Sequence, residues 1–403
     1  MGRKLDVTGL CGVFCDRHHH VLLLALLGCC CCCCCCSSLG SPGCIRSSRA
    51  VVGGSLRVPE RVDGGKCEFV KVRLFGSPFV DAWLFQSVVD RLLTNWLNYT
   101  TGQFMDGDFW VDCNTWEDIE NYQLAANSDA YANISSLGYL GKNALDASTN
   151  WTELLGGSYD DAQWAILSLW RMADYESGHG QDNTPYLNAA STIYDLVSEQ
   201  WDDYCGGGGR RRQMSLVHSR AEYFWLVNSG MQNAQLLYND GLSDNCTNNG
   251  QTAWTYNQAV VASGLGALYK ATGNATLLDV AETSLDATIM SLTDDGILKE
   301  ACDDAVGGST ECSHNSQLFK GLWMKHLSYY LTYANDSSRT AKYAQFITAQ
   351  YDAILQNAMN AQYDIGSVWY APNQGGSVFQ PEASASGLEG ILADAQVCMM
   401  QAV

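Results

Sequence analysis

At 403 residues, 47% of them apolar and only 16% charged, the chain can build one large domain or two ordinary ones around a sizeable core. The net charge of −20 is unevenly spread: residues 1–77 hold ten Lys/Arg against five Asp/Glu, and residues 78–403 hold thirteen against thirty-eight. So acidic a body repels nucleic acid and anionic membrane, and it suits a neutral, hydroxyl-rich or cationic partner.

Residues 1–77 are rich in Gly, Ser and Cys and differ in texture from the rest of the chain. Arg3 and Lys4 precede "VLLLALLG", and the run Cys29–Cys36 comes directly after it. The apolar stretch reads either as a secretory signal core or as a misplaced gene start. This region is set apart from the fold, and 78–403 is taken as the folded domain. No other stretch approaches the length of a membrane span. The C-terminal "DAQVCMMQAV" has no polar spacer and hydrophobic tail of a lipid-anchor signal.

From Pro78 onward the pattern is helical. "DAWLFQSVVDRLLTNWLN" places Leu84, Val88, Leu92 and Trp96 on one stripe. Further helices are expected over 115–127, 161–175, 186–201, 256–271, 276–292, 317–334, 340–359 and 384–399. They come in pairs joined by short polar hinges, as in "LSLWRMADYESGHGQDNTPYLNAASTIYDLV" and "ASGLGALYKATGNATLLDVAETSLDATI". The first helix of a pair is apolar nearly all round ("AQWAILSLW") and the second is amphipathic. Buried inner helices ringed by outer ones describe an α/α barrel. The repeat fails once. Between the "CGGGG" of Cys205–Gly209 and the next recognisable pattern, where a hairpin is due, stands a segment carrying Arg210, Arg211, Arg212 and Arg220. The glycine run lacks a subsequent Lys-Ser/Thr and a preceding strand, so it reads as a tight turn and not a phosphate loop.

The body keeps six cysteines: Cys113, Cys205, Cys246, Cys302, Cys312 and Cys398. None has zinc-site spacing. An even, scattered set reads as disulfides and an oxidising compartment. Cys302 and Cys312 are the first candidate pair, the other four can pair in three ways, and no free thiol is expected. Six N-x-S/T sequons, at Asn98, Asn133, Asn150, Asn245, Asn274 and Asn335, point the same way. The expected location is secreted, extracellular or in a cell wall.

The pair Asp160–Asp161 in "SYDDAQW" stands at a helix entry among aromatic residues. It serves equally as a first-turn pair favoured by the helix dipole, a metal grip, or an acid/base pair. A magnesium-binding Asp-Asp-x-x-Asp helix would need Asp at 164, which is Trp. Trp110, Asp112 and Asn114 in "FWVDCNTW", and Trp254, Tyr256, Asn257 and Gln258 in "TAWTYNQ", set an aromatic beside short polar groups, which suits a pyranose. Each could equally be a cap or a loop hydrogen bond. Asp294/Asp295 and Asp303/Asp304 read as solvated loop ends. His179, His218, His314 and His326 are not spaced as metal ligands. No metal or cofactor is expected.

Taken together, "GQFMDGDFWVDCNTWEDIENY", "YDDAQWAILSLWRMADY", "YLNAASTIYDLVSEQWDDYCGGG", "WLVNSGM", "NDGLSDNCTNNGQTAWTYNQAVVASGLGALYKATGNATLLDVA" and "LFKGLWMKHLSYYL" resemble glycoside hydrolase family 76 over roughly residues 80–400. The resemblance implies an (α/α)6 barrel and a retaining endo-α-1,6-mannanase, with Asp160 as nucleophile and Asp161 as acid/base. It also implies α-1,6-mannan or mannose-containing wall glycans as substrate. Mutual repulsion would split the pair's pKa values, so that one carboxylate attacks while the other keeps its proton. Two departures stand out. About one hairpin of the family pattern is absent after Gly209, and Asn315 stands where the family usually has Asp. The expected protein is therefore a monomeric, secreted mannan endo-1,6-α-mannosidase with one hairpin of its barrel in question. The alternatives are a cell-wall transglycosylase acting on mannose-containing anchor glycans, or an inactive mannan-binding product of a defective gene.

Overall fold

The computed structural model describes residues 57–62, 66–71, 80–104, 108–201, 204–206, 220–304, 312–372 and 377–401. The basic and apolar N-terminal stretch, the run Cys29–Cys36, Gly207–Gly209, Arg210, Arg211, Arg212 and His218 lie outside these residues. Two short strands, β1 (Arg57–Val62) and β2 (Lys66–Lys71), pair antiparallel. Helix α1 (Val80–Arg91) continues as a π turn to Trp96. A minimal hairpin of β3 (Leu97–Asn98) and β4 (Gln103–Phe104) leads to α2 (Phe109–Ala126). Three short helices come next: α3 (Ile134–Leu137), α4 (Tyr139–Leu145) and α5 (Trp151–Leu155). After them stand the long α6 (Tyr159–Gly178) and α7 (Thr184–Ser198), then the nine-residue α8 (Arg220–Asn228). Helices α9 (Thr255–Thr272) and α10 (Thr276–Ser291) form a hairpin. Strands β5 (Thr293–Asp294) and β6 (Ile297–Leu298) precede α11 (His314–Ala334), α12 (Ser337–Ala353) and α13 (Pro381–Gln401).

The helices sort into two layers, as an α/α barrel requires. In α2 every residue from Trp110 to Gln123 is buried, in α11 every residue from Ser316 to Leu331, and in α13 every residue from Pro381 to Ala393. Such helices have no solvent side and form the inner ring. By contrast α7 buries only Tyr186, Ala189, Ala190 and Ile193, and α12 buries Thr340, Tyr343, Ile347 and Gln350 along one stripe. These are outer helices with one apolar face. The tightest inner crossing is at Gly321, where an added Cβ would collide with the Ser386 backbone and where the Gly321 amide donates to Ser386 Oγ at 2.8 Å.

Inner-helix contacts run α6–α2–α13–α11–α9. Among the described residues no comparable contact joins α6 to α9. Consistent with this, α6 keeps a half-exposed stripe of Asp160, Trp164, Leu167, Arg171 and Asp174. The architecture is the (α/α)6 barrel expected from the sequence, with the irregularity at the place where the repeat spacing fails. Next to that place stands α8, whose Phe224 and Val227 are exposed while Trp225 and Leu226 are buried.

The cysteine expectation is corrected. Cys302–Cys312 is a disulfide as expected, and Cys205 pairs with Cys246. Cys113 is a free, fully buried thiol facing the core from α2. Cys398 on α13 is also disulfide-bonded, and with the other four accounted for and Cys113 free, its partner lies outside the body six. The even count hid two unlike residues. Asp303 corrects a second expectation: it is buried, not a solvated loop end, and its Oδ2 pairs with buried Lys320 at 2.7 Å. Among the described residues no helix is long and apolar enough to cross a membrane.

Candidate active site

A cleft of about 240 Å³ opens where the N-terminal ends of α6 and α9 face each other. Asp160 and Asp161 form its acidic edge. They occupy the first turn of α6 after Ser158, which makes no side-chain cap. Adjacent first-turn residues diverge by roughly 100°, and the electrostatics reflect that divergence. The charge of Asp160 acts on Tyr256 of α9, whereas that of Asp161 acts on the Cys113 thiol of α2.

Aromatic rings make the walls. Trp110 lies 6.0 Å from Trp164 and 6.3 Å from Phe319, centroid to centroid. Phe319 lies 4.4 Å from Tyr256 and 5.3 Å from Trp254. Trp164 closes the circle at 6.4 Å from Tyr256. Flat apolar faces beside carboxylates can grip a hexose, which carries C–H groups on its faces and hydroxyls on its edge.

Of the residues singled out in the sequence, Trp110, Asp160, Asp161, Trp254, Tyr256 and Asn257 line this cleft. Asp112, Asn114 and Gln258 do not, because all three are buried in the wall behind it. Asp112 accepts the Phe104 amide at 2.8 Å and so fixes β4 to α2. Asn114 accepts from Lys325 at 3.0 Å. Gln258 clamps residue 238 by accepting from the Tyr238 amide (2.7 Å) and donating to its carbonyl (2.9 Å). That clamp delivers Asp240, a third cleft carboxylate that sequence spacing does not single out. Asp240 accepts from the Tyr256 hydroxyl at 2.5 Å and from Asn257 Nδ2 at 3.3 Å. Burial, the charge and hydrogen bond of Asp240, and the charge of Asp160 push the Tyr256 phenol well above its ordinary pKa. Phe319 and Asn315 also line the cleft. Asp240 had a signal in the "NDG" turn; Phe319 had none, since one aromatic on a helix buried all round looks like any other.

Beneath the cleft lies a buried polar layer. Lys325 Nζ donates to Asn114 Oδ1, to Glu117 Oε2 at 2.9 Å and to Asp118 Oδ1 at 2.7 Å. The Tyr329 hydroxyl donates to Glu117 Oε1 at 2.7 Å, and the Arg171 guanidinium sits 4.5 Å over the Tyr329 ring. Burial raises Asp118 to about 6 against the pull of Lys325. Cys302, Asp303 and Cys312 lie together as metal ligands would, but both sulfurs are spent in the disulfide.

Two buried carboxyls set an expected pH response. Burial raises Asp112 from 3.8 to about 7, and it raises Glu300, which accepts from the Thr255 hydroxyl at the start of α9, from 4.5 to about 7. The folded protein thus holds protons that the unfolded chain has released, so stability falls as pH rises through this window. Thermal scans should show Tm declining between about pH 5 and pH 7, with a shallower decline in Asp112→Asn and in Glu300→Gln. A variant slope equal to the parent's would contradict it.

An α/α barrel with a carboxylate pair at the mouth of an aromatic, sugar-sized cleft is the arrangement of a glycoside hydrolase. The model of the family described as "Glycosyl hydrolase family 76" matches residues 218–398, starting where the irregular segment ends. Over that segment the chain carries the pattern of glycosyl hydrolase family 76. It is 23% identical over 281 residues to mannan endo-1,6-alpha-mannosidase DCW1 of Saccharomyces cerevisiae, covering 60% of this chain and 62% of that one. It is 22% identical over 251 residues to mannan endo-1,6-alpha-mannosidase DFG5 of the same yeast, covering 52% and 54%. The chain thus spans about three-fifths of the length of the first curated relatives it matches. In structure it is similar to the α-1,6-mannanase GH76A of Salegentibacter sp. HEL1_6, solved with α-1,6-mannotriose as an inactive variant in which two consecutive aspartates are asparagine. That likeness has TM-score 0.62 at 15% identity, covering 78% of this chain and 99% of that one. It is also similar to Dfg5 of Chaetomium thermophilum in complex with glucosamine, with TM-score 0.55 at 13% identity, covering 75% and 82%.

Proposed function

We propose that the protein is a secreted retaining glycosidase that cleaves α-1,6-mannosidic linkages, with Asp160 as nucleophile and Asp161 as acid/base. The observation that carries this reading is the divergent carboxylate pair at the acidic edge of an aromatic cleft. Asp160 attacks the anomeric carbon while Asp161 protonates the departing oxygen; Asp161 then takes a proton from the water that releases the glycosyl-enzyme. Trp110, Trp164, Trp254, Tyr256 and Phe319 hold the sugar faces, and Asp240 accepts from hydroxyls on the sugar edge. The mannotriose complex of the structural relative, inactive with two consecutive aspartates replaced, supports this assignment. All six sequon asparagines are exposed, and the fungal relatives are mannan enzymes by name. Both fit a secreted, glycosylated wall enzyme.

A second reading, transfer of mannose-containing glycans to an acceptor, is favoured by three cleft aspartates, which suit a cationic amino sugar such as the glucosamine held by the Dfg5 relative. Incubation with α-1,6-mannan, with and without glucosamine-containing acceptor, separates the readings by product mass. Hydrolysis yields shortened reducing mannans in both cases, whereas transfer yields acceptor-linked product. Binding without any product would overturn both and leave an inactive mannan binder.

A further inference from the structure

A second groove, of about 200 Å³ and sharing no residue with the cleft, lies between α8 and the α9–α10 hairpin, at the irregular side of the ring. It is lined by Tyr223, Phe224, Leu268, Thr272, Asn274 and Leu277. Its size and its six lining residues accommodate a single sugar ring. Phe224 on its wall is 56% exposed, which is unfavourable for a free aromatic face in water. Asn274 on the same rim belongs to the sequon Asn274-Ala275-Thr276. Its Oδ1 accepts from the Thr276 hydroxyl at 2.8 Å and from the Thr276 amide at 3.2 Å. These bonds fix the carboxamide through its oxygen and leave Nδ2, the atom that N-glycosylation uses, on the other side. Asn274 and Thr276 are both exposed.

We propose that Asn274 carries an N-linked glycan whose first N-acetylglucosamine lies in this groove, its apolar face on Phe224 and Tyr223, covering the exposed ring of Phe224. Attachment forms the bond from Nδ2 to the anomeric carbon. It breaks that carbon's bond to the pyrophosphate of a lipid-linked oligosaccharide donor, which leaves with the electron pair, and the amide gives up one proton. The other five sequons, although exposed, do not line this groove, so the Asn274 glycan is singled out as structural. This inference rests on the secretory part of the proposed function.

The test is the full chain secreted from a eukaryotic host, with site-resolved glycopeptide mass analysis and thermal unfolding. Asn274 is expected to be occupied and to be released by a native amidase more slowly than glycans at the other sites. Asn274→Gln should lower Tm by about 2–4 °C, the shift of a modest contact in a domain of this class. Phe224→Ser should lower Tm in the glycosylated parent and not in the Asn274→Gln background, because the ring then has nothing to hold. Empty Asn274 beside occupied sequons elsewhere overturns the inference and spares the secretion reading. An occupied Asn274 with additive effects of the two substitutions also overturns it. No glycan at any sequon overturns both.

Discussion

Asp160→Asn is expected to abolish turnover of α-1,6-mannooligosaccharides while binding persists, and Asp161→Asn to slow it most for substrates with poor leaving groups. Removing the nucleophile eliminates the covalent route altogether. Removing the proton donor forfeits the factor of about 10²–10⁴ that general acid–base catalysis contributes, and a leaving group stable as an anion recovers part of it. Both side chains are only half-buried in the first turn of α6. The amides therefore cost the fold little beyond about 0.3–1 kcal/mol of helix-dipole interaction, and loss of activity would not be loss of structure. Turnover assays on defined mannotetraose, with calorimetric binding alongside, check both halves. Near-normal activity in either variant would refute the assignment, and loss of binding in both would reassign the pair to substrate grip.

The largest stability effect is expected at Lys325. Its ammonium is completely buried, with Glu117 and Asp118 at 2.9 and 2.7 Å, and the surrounding carboxylates hold it charged well above the ordinary lysine range despite the burial that opposes this. Lys325→Met removes the cation but leaves the carboxylates in the core. Breaking a buried pair in this one-sided way costs about 3–5 kcal/mol, a large share of the roughly 5–15 kcal/mol that holds a typical domain together. Protonating the orphans relieves part of the cost, so the variant should be least impaired at low pH. Urea unfolding at two pH values measures it, and the triple change Lys325→Met, Glu117→Gln, Asp118→Asn should recover much of the loss. A Lys325→Met destabilisation below about 1 kcal/mol, in the range of an exposed pair, would show that the layer is solvated in solution.

Helix existence and pairing were legible in the chain because they depend on neighbours three and four residues away. The hinge at 179–183 between α6 and α7, the long helical run of α11 and the short Cys302–Cys312 loop all arise from local spacing. The start of α2 at Phe109 was missed because its first turn mixes aromatic and short polar residues, which read equally as a loop. The direction of a polar side chain on a helix buried all round has no such local signal. Asp112, Asn114 and Gln258 carry the same chemistry as cleft residues, yet they turn inward because Phe104, Lys325 and Tyr238 arrive from other parts of the chain to meet them. Asp240 enters the cleft only through the Gln258 clamp, and Cys113 stays a thiol because, among the described residues, no other cysteine pairs with it across the inner ring. Intervals of a few residues were enough to set the helices, the hairpins and the carboxylate pair. Which buried polar groups face substrate and which face one another depended on the assembly of the inner ring, where each helix packs against partners up to two hundred residues away.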